Sequence, residues 1–134
     1  VERLVEPALA KGNWVICDRY LDSTRAYQGG GSGLADAELL TLHRIGSRNL
    51  MPDRTILIEV TPDVTAARLS ARDGDTSDRI GGRDARYHAR VAQAFAQLAD
   101  AEPSRFIRVD GSGSLEQTHA NILAGIAPLS GELR

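Results

Sequence analysis

One cysteine, one lysine, one tryptophan and one methionine occur in 134 residues, and each scarcity removes a class of explanation. The lone Cys17 cannot close an internal disulfide, so a stapled secreted scaffold is excluded and a reducing compartment is favoured. No apolar run approaches the roughly 20 residues that cross a bilayer. Nor does a basic segment followed by an apolar one, of signal-peptide type, open the sequence. Cytoplasm is therefore the expected location. The formal net charge is only −2, so no global positive field draws nucleic acid or anionic membrane, and any anion site must be local. His43, His88 and His119 lack metal-ligand spacing and read as surface residues. Cys17 reads as a small core residue. Ser23 has no evident histidine base nearby, which leaves little support for nucleophilic catalysis.

What is present is ordinary for one globular domain, with 42% hydrophobic and 25% charged residues. The sequence opens on Val1-Glu2-Arg3-Leu4, without methionine, in what reads as the middle of an amphipathic helix, so a fragment is expected. Val1, Leu4, Val5, Ala8 and Leu9 share a helical face, and Gly12 is a natural stop. Residues 14–18 form a continuous apolar run ending in Asp18, the pattern of a strand buried on both faces of a parallel sheet. A polar, glycine-rich connection spans 19–33. Helical spacing returns over 36–49, through Leu39, Leu40, Leu42 and Ile45, with Asp36 a plausible cap. Pro52-Asp53 precedes a second buried strand at 54–60, and Thr61-Pro62-Asp63 then starts a helix to about 72. Residues 73–82 have loop composition. A helix over 84–101 presents Tyr87, Val91, Phe95 and Leu98 on one side. A third strand covers 105–109, and Ser114 caps a last helix with Gln117 placed to complete a capping box. Strands alternating with helices predict an α/β fold with a parallel sheet flanked by helices. Ligands in such sheets bind beyond the carboxyl ends of the strands. That rule points to Asp18-Arg19 and to the loop after Val60.

Three groups of residues have the chemistry of a site. Asp18 can orient a magnesium ion or its waters, and Arg19 can grip phosphate oxygens in bidentate fashion; a strand-end acid paired with its neighbour is the plainer alternative. The run Ser23-Thr24-Arg25-Ala26-Tyr27-Gln28-Gly29-Gly30-Gly31 mixes hydroxyls, an amide and a ring, which suits a planar base, or else forms a mobile surface loop. Arg68, Arg72, Arg79, Arg83, Arg86 and Arg90 stand against Asp73, Asp75, Asp78 and Asp84. Arginines on a loop between helices can fold over polyphosphate. Because arginine is this chain's habitual cation, most of the six are expected to be solvated or paired, and one to three functional.

Trp14-Val15-Ile16-Cys17-Asp18-Arg19-Tyr20-Leu21-Asp22-Ser23-Thr24-Arg25-Ala26-Tyr27-Gln28 resembles the thymidylate kinase signature of apolar strand, Asp-Arg-aromatic, two free positions and Ser-Thr. The similarity extends to the first helix, Pro52-Asp53, Thr61-Pro62, Asp78-Arg79-Ile80 and, weakly, the last helix. The resemblance implies a P-loop nucleoside monophosphate kinase fold. It implies transfer of the γ-phosphoryl group of ATP to thymidine monophosphate (dTMP), giving the diphosphate, with magnesium, in a homodimer. It also implies roles. Arg19 binds the acceptor phosphate and bridges it to the donor. Asp18 supports the metal through water. Ser23, Thr24, Tyr27, Gln28 and Phe95 line the thymidine pocket. Arg79, with Arg72 as a lesser candidate, is the catalytic cation of a lid over 73–83.

The sequence departs from the family where Gly81 stands for a frequent glutamate, Ala92 for an arginine and Phe95 for a tyrosine. No Gly-x-x-x-x-Gly-Lys-Ser/Thr occurs, so these residues hold no P-loop for ATP. In the family that loop follows a first strand, which would lie ahead of Val1 and between the strands ending at Asp18 and Val60. The chain by itself is accordingly expected to be inactive. Two other expectations remain: a non-catalytic thymidylate-binding or interaction module, and a kinase for another nucleotide or nucleoside.

Overall fold

The computed structural model describes residues 1–73 and 81–131. Their contacts divide the chain into two units, Val1–Pro52 with Tyr87–Ala96, and Asp53–Arg86 with Gln97–Arg134.

The first unit holds α1 (Val5–Leu9), α2 (Leu21–Thr24), a π-helix (Arg25–Gly31), α3 (Asp36–Gly46) and the middle of α5 (Gly81–Ala101). Gly12 has φ 74° and stops α1 as its lack of a side chain allows. Residues 14–18 correct the sequence reading. They form no strand, Ile16 is 93% exposed, and Cys17 is exposed rather than packed in a core. A strand exists only through a hydrogen-bonded neighbour, and no described residue supplies a ladder to this run.

The expected glycine-rich connection is instead largely helical. α2 passes directly into the π-helix, and the glycine triplet is a packing surface. A Cβ on Gly30 would collide with Ala94 Cβ, and one on Gly31 would lie 2.5 Å from the Tyr87 ring. α5 thus rests on backbone where any side chain would hold it off, and Val91, facing Gly31, is buried. α3 begins at Asp36, yet that carboxylate caps no N–H. It accepts two hydrogen bonds from buried Arg25, Nε to Oδ1 at 2.7 Å and Nη2 to Oδ2 at 2.8 Å. Arg25 Nη1 also reaches buried Asp22 at 3.5 Å. Leu39 on α3 is buried, whereas Leu42 and Ile45 are exposed.

In the second unit β1 (Thr55–Glu59) pairs parallel with β2 (Phe106–Asp110), in register from Thr55↔Phe106 to Glu59↔Asp110. α4 (Pro62–Asp73) and α5 lie between the two strands in sequence, as parallel pairing requires of a crossover. β2 buries Phe106 and Val109, and α6 (Leu115–Ile126) packs on it so closely that a Cβ on Gly125 would lie 2.6 Å from Ile107. Ser114 Oγ caps α6 by accepting the Gln117 N–H at 3.2 Å. Only half of the expected capping box forms, because the Gln117 amide turns to Asn121. A short 3-10 turn (Ala127–Gly131) follows α6. The described residues are therefore α/β, a small parallel sheet flanked by helices, as the alternating pattern predicts. Of the expected lid, Asp73 closes α4, residues 81–83 open α5, and residues 74–80 lie outside the described residues.

The Arg25 ion group gives a stability test. Hydrogen bonding from Arg25 holds the Asp36 carboxyl below the usual aspartate range; burial opposes this and the guanidinium charge adds to it. Arg25→Ala should cost about 3 kcal/mol, the lower end for a broken buried pair because Asp36 is half exposed. A depressed carboxylate stabilises the fold above its unfolded pKa, and that contribution is lost as pH falls through the folded value. Urea midpoints measured from neutral to acid pH should therefore fall less steeply below the usual aspartate range in Arg25→Ala than in the parent.

Candidate active site

The site is built in the first unit around the turn that joins residues 14–18 to α2. Arg19 has φ 63°, in the left-handed region that a residue with a side chain enters only at a cost of about 1 kcal/mol or more. This turn aims the Arg19 guanidinium over the Tyr27 ring, 5.2 Å from its centroid. The Tyr27 ring in turn meets Phe95 edge-on at 6.3 Å and Tyr87 at a tilt, also at 6.3 Å. Directly after Arg19, the Tyr20 hydroxyl donates to the Leu50 carbonyl at 3.1 Å.

That carbonyl also accepts from His43 Nε2 at 3.0 Å. A carbonyl can only accept, so in the neutral ring Nε2 carries the proton and Nδ1 receives the Ser47 hydroxyl at 2.6 Å. Tyr20 and His43 also stack edge to face at 5.3 Å. His43 is buried, which corrects the expectation of a surface histidine. Arg19, Ser23, Thr24, His43 and Ser47 contribute to the walls of one cavity of about 400 Å³, with Leu39 and Leu42 supplying apolar surface. A hollow of similar size between Arg3 and Arg48 contains none of the expected site residues.

The structure thus brings together part of the expected set. Arg19, Ser23 and Thr24 share the cavity, while Tyr27 and Phe95 share the ring cluster beneath the Arg19 guanidinium. Gln28, on the same π-helix, is exposed, as is Asp18. Arg79 and the side chain of Arg72 lie outside the described residues. Among the clustered arginines whose side chains are described, Arg68 and Arg90 have backbone partners. Arg68 Nη2 donates to the carbonyls of Gly111 and Gly113, and Arg90 Nη2 donates to that of Gly31 at 3.0 Å.

The residues missed in the sequence are His43, Ser47 and Tyr87, whose hydroxyl donates to the Tyr27 carbonyl at 3.2 Å. Their partners are main-chain oxygens or each other. The one available signal was the four-residue spacing of His43 and Ser47, which brings i and i+4 side chains together. Among the described residues no group of three His, Cys, Asp or Glu side chains is placed to hold a metal ion. Asp18 is an exposed single carboxylate next to Arg19, and one carboxylate can suffice for a magnesium ion that arrives on phosphates and keeps most of its waters.

A family model for thymidylate kinase matches residues 1–122. The chain belongs to the thymidylate kinase family. It is 41% identical over 129 residues to the thymidylate kinase of Rhizorhabdus wittichii, a match covering 96% of this chain and 62% of that protein. It is 38% identical to the thymidylate kinase of Pelobacter propionicus, over 94% of this chain and 59% of that one. The crystal structure of thymidylate kinase from Ehrlichia chaffeensis shares the fold, with a TM-score of 0.69 and 24% identity over 96% of this chain and 58% of that chain. The chain thus spans about 60% of the length of these family members.

The shared Leu50 carbonyl yields a graded expectation. Tyr20→Phe keeps the edge contact with His43 and leaves Leu50 one donor, so it should cost about 1 kcal/mol. His43→Ala removes a buried ring and the acceptor of Ser47, and should cost about 2–3 kcal/mol. Equilibrium urea unfolding of the two variants reads both values; an equal loss would contradict the shared-carbonyl account.

Proposed function

We propose that this chain carries the acceptor-nucleotide half of a thymidylate kinase. The complete protein would transfer the γ-phosphoryl group of ATP to dTMP, in the cytoplasm and as a homodimer. The observation that carries the reading is Arg19, held in a left-handed turn between a cavity lined by Ser23 and Thr24 and the ring of Tyr27. A guanidinium beside hydroxyls and a ring matches the two ends of a nucleoside monophosphate, phosphate at one end and base at the other.

In this reading the dTMP phosphate draws Arg19, which anchors it with paired hydrogen bonds. Ser23 and Thr24 offer hydroxyls to the edge of the base. Tyr27, backed by Phe95, sets a wall against the nucleoside, and Gln28 supplies an amide. A phosphate oxygen of dTMP, already ionised near neutral pH, attacks the γ-phosphorus as the bond to the ADP oxygen breaks. No proton need be removed from the attacking oxygen, so positioning and charge neutralisation carry the catalysis. Magnesium, when bound with the nucleotides, neutralises charge on the phosphoryl oxygens. Asp18 would hold its waters. Arg79, with Arg72 second, is assigned the lid cation by the family resemblance.

A second reading, a thymidylate-binding module without turnover, is favoured for these 134 residues taken alone, because they contain no Gly-x-x-x-x-Gly-Lys-Ser/Thr. The chain should therefore bind dTMP in calorimetry yet release no ADP above background when ATP is added. Arg19→Ala should weaken dTMP about 10- to 100-fold, as expected for loss of hydrogen bonds from a charged donor, while leaving thymidine, which lacks the phosphate, nearly unchanged. Turnover equal to that of a complete kinase would overturn the module reading. Unchanged dTMP affinity in Arg19→Ala would overturn the assignment of Arg19.

A further inference from the structure

The carbonyls at the end of a helix have no partners within it and must find them elsewhere. At the end of the π-helix, Gln28 O accepts from the Leu34 N–H at 3.0 Å, and Gly29 O accepts from the Gly33 N–H at 2.6 Å. Two others are taken by side chains of α5. Tyr27 O accepts the Tyr87 hydroxyl at 3.2 Å, and Gly31 O accepts Arg90 Nη2 at 3.0 Å, with Nε at 3.4 Å. Tyr87 and Arg90 lie three residues apart on one helical face, and the Arg90 guanidinium lies over the Tyr87 ring at 5.9 Å. The two bonds therefore fall on either side of Gln28 and directly on Tyr27.

We propose that Tyr87 and Arg90 are positioning residues for the acceptor nucleoside, clamping the π-helix so that the Tyr27 ring and the Gln28 amide are presented in one fixed orientation. The inference rests on the reading of this site as a dTMP site and adds two residues to it. Packing alone does not account for the Tyr87 hydroxyl. The ring already fills the space that Gly31 leaves, and a phenylalanine would do so equally well. Nor does hydrogen-bond satisfaction account for it, since Tyr27 O already accepts the Ser32 hydroxyl at 3.2 Å. The second donor adds little to satisfaction and much to direction, because two donors fix a carbonyl in a way that one does not. Arg90 likewise spends a charged, forked donor on a main-chain carbonyl, where it restrains the far end of the segment.

The test titrates the chain and its variants with dTMP and with thymidine, and records the melting temperature of each. Tyr87→Phe keeps the ring and removes only the hydroxyl. It should weaken dTMP and thymidine by the same factor, about fivefold for one neutral hydrogen bond, with the melting temperature lowered by no more than about 5 °C, the cost of one such bond, so that the chain stays folded at the titration temperature. Arg90→Ala should weaken both ligands similarly, and Arg90→Lys, which retains a donor, should recover part of the loss. This pattern is the opposite of that expected for Arg19→Ala, which spares thymidine. A Tyr87→Phe variant that binds like the parent overturns the proposal. So does a weakening that disappears once the folded fraction at the titration temperature is allowed for. If the parent chain itself binds neither ligand, the dTMP reading fails and this inference falls with it. If the parent binds and Tyr87→Phe matches it, this inference alone fails.

Discussion

The approach of α5 to the π-helix through bare backbone is the constraint on which the first unit depends. Gly30 and Gly31 leave room for Ala94 and Tyr87, and this closeness puts the Tyr87 hydroxyl and the Arg90 guanidinium within reach of main-chain oxygens. The same approach brings Phe95 to the Tyr27 ring, and Tyr27 is the surface on which Arg19 rests. Remove the glycines and each of these distances lengthens. In the second unit the corresponding constraint is the parallel register of β1 and β2. It sets Arg108 beside Glu59, where Nε and Nη2 form two bonds at 2.8 and 2.6 Å.

Much of this was legible in the sequence because it depends on local pattern. The apolar runs at 55–59 and 106–110, the proline at the head of α4 and the Ser114 cap each follow from side-chain period or capping chemistry, and each appears within a residue or two of its expected place. Residues 14–18 have the same apolar signature and no strand. A hydrophobic run states a preference for burial and pairing, but the partner that would fulfil it is not part of the run.

The site was legible where chemistry is concentrated in a motif and obscure where it lies in the backbone. Arg19, Ser23, Thr24 and Tyr27 stood out by residue type. The π-helix did not, since polar residues and three glycines read as a loop and its hydrogen-bond spacing leaves no hydrophobic period. His43 read as a surface residue because its partners are a carbonyl and a hydroxyl, neither of which advertises a buried imidazole. Arg68 and Arg90 looked like candidates for phosphate and are found on main-chain carbonyls.

β1 is bonded on one side only among the described residues, and Ile56 and Ile58 are 39% and 48% exposed. Beside the charged end at Glu59, a short strand margin of this kind offers open amide and carbonyl groups flanked by apolar side chains, the arrangement that templates sheet growth between molecules. A margin of this kind favours concentration-dependent association between copies. A lysine in place of Ile58 would act as a gatekeeper at that margin.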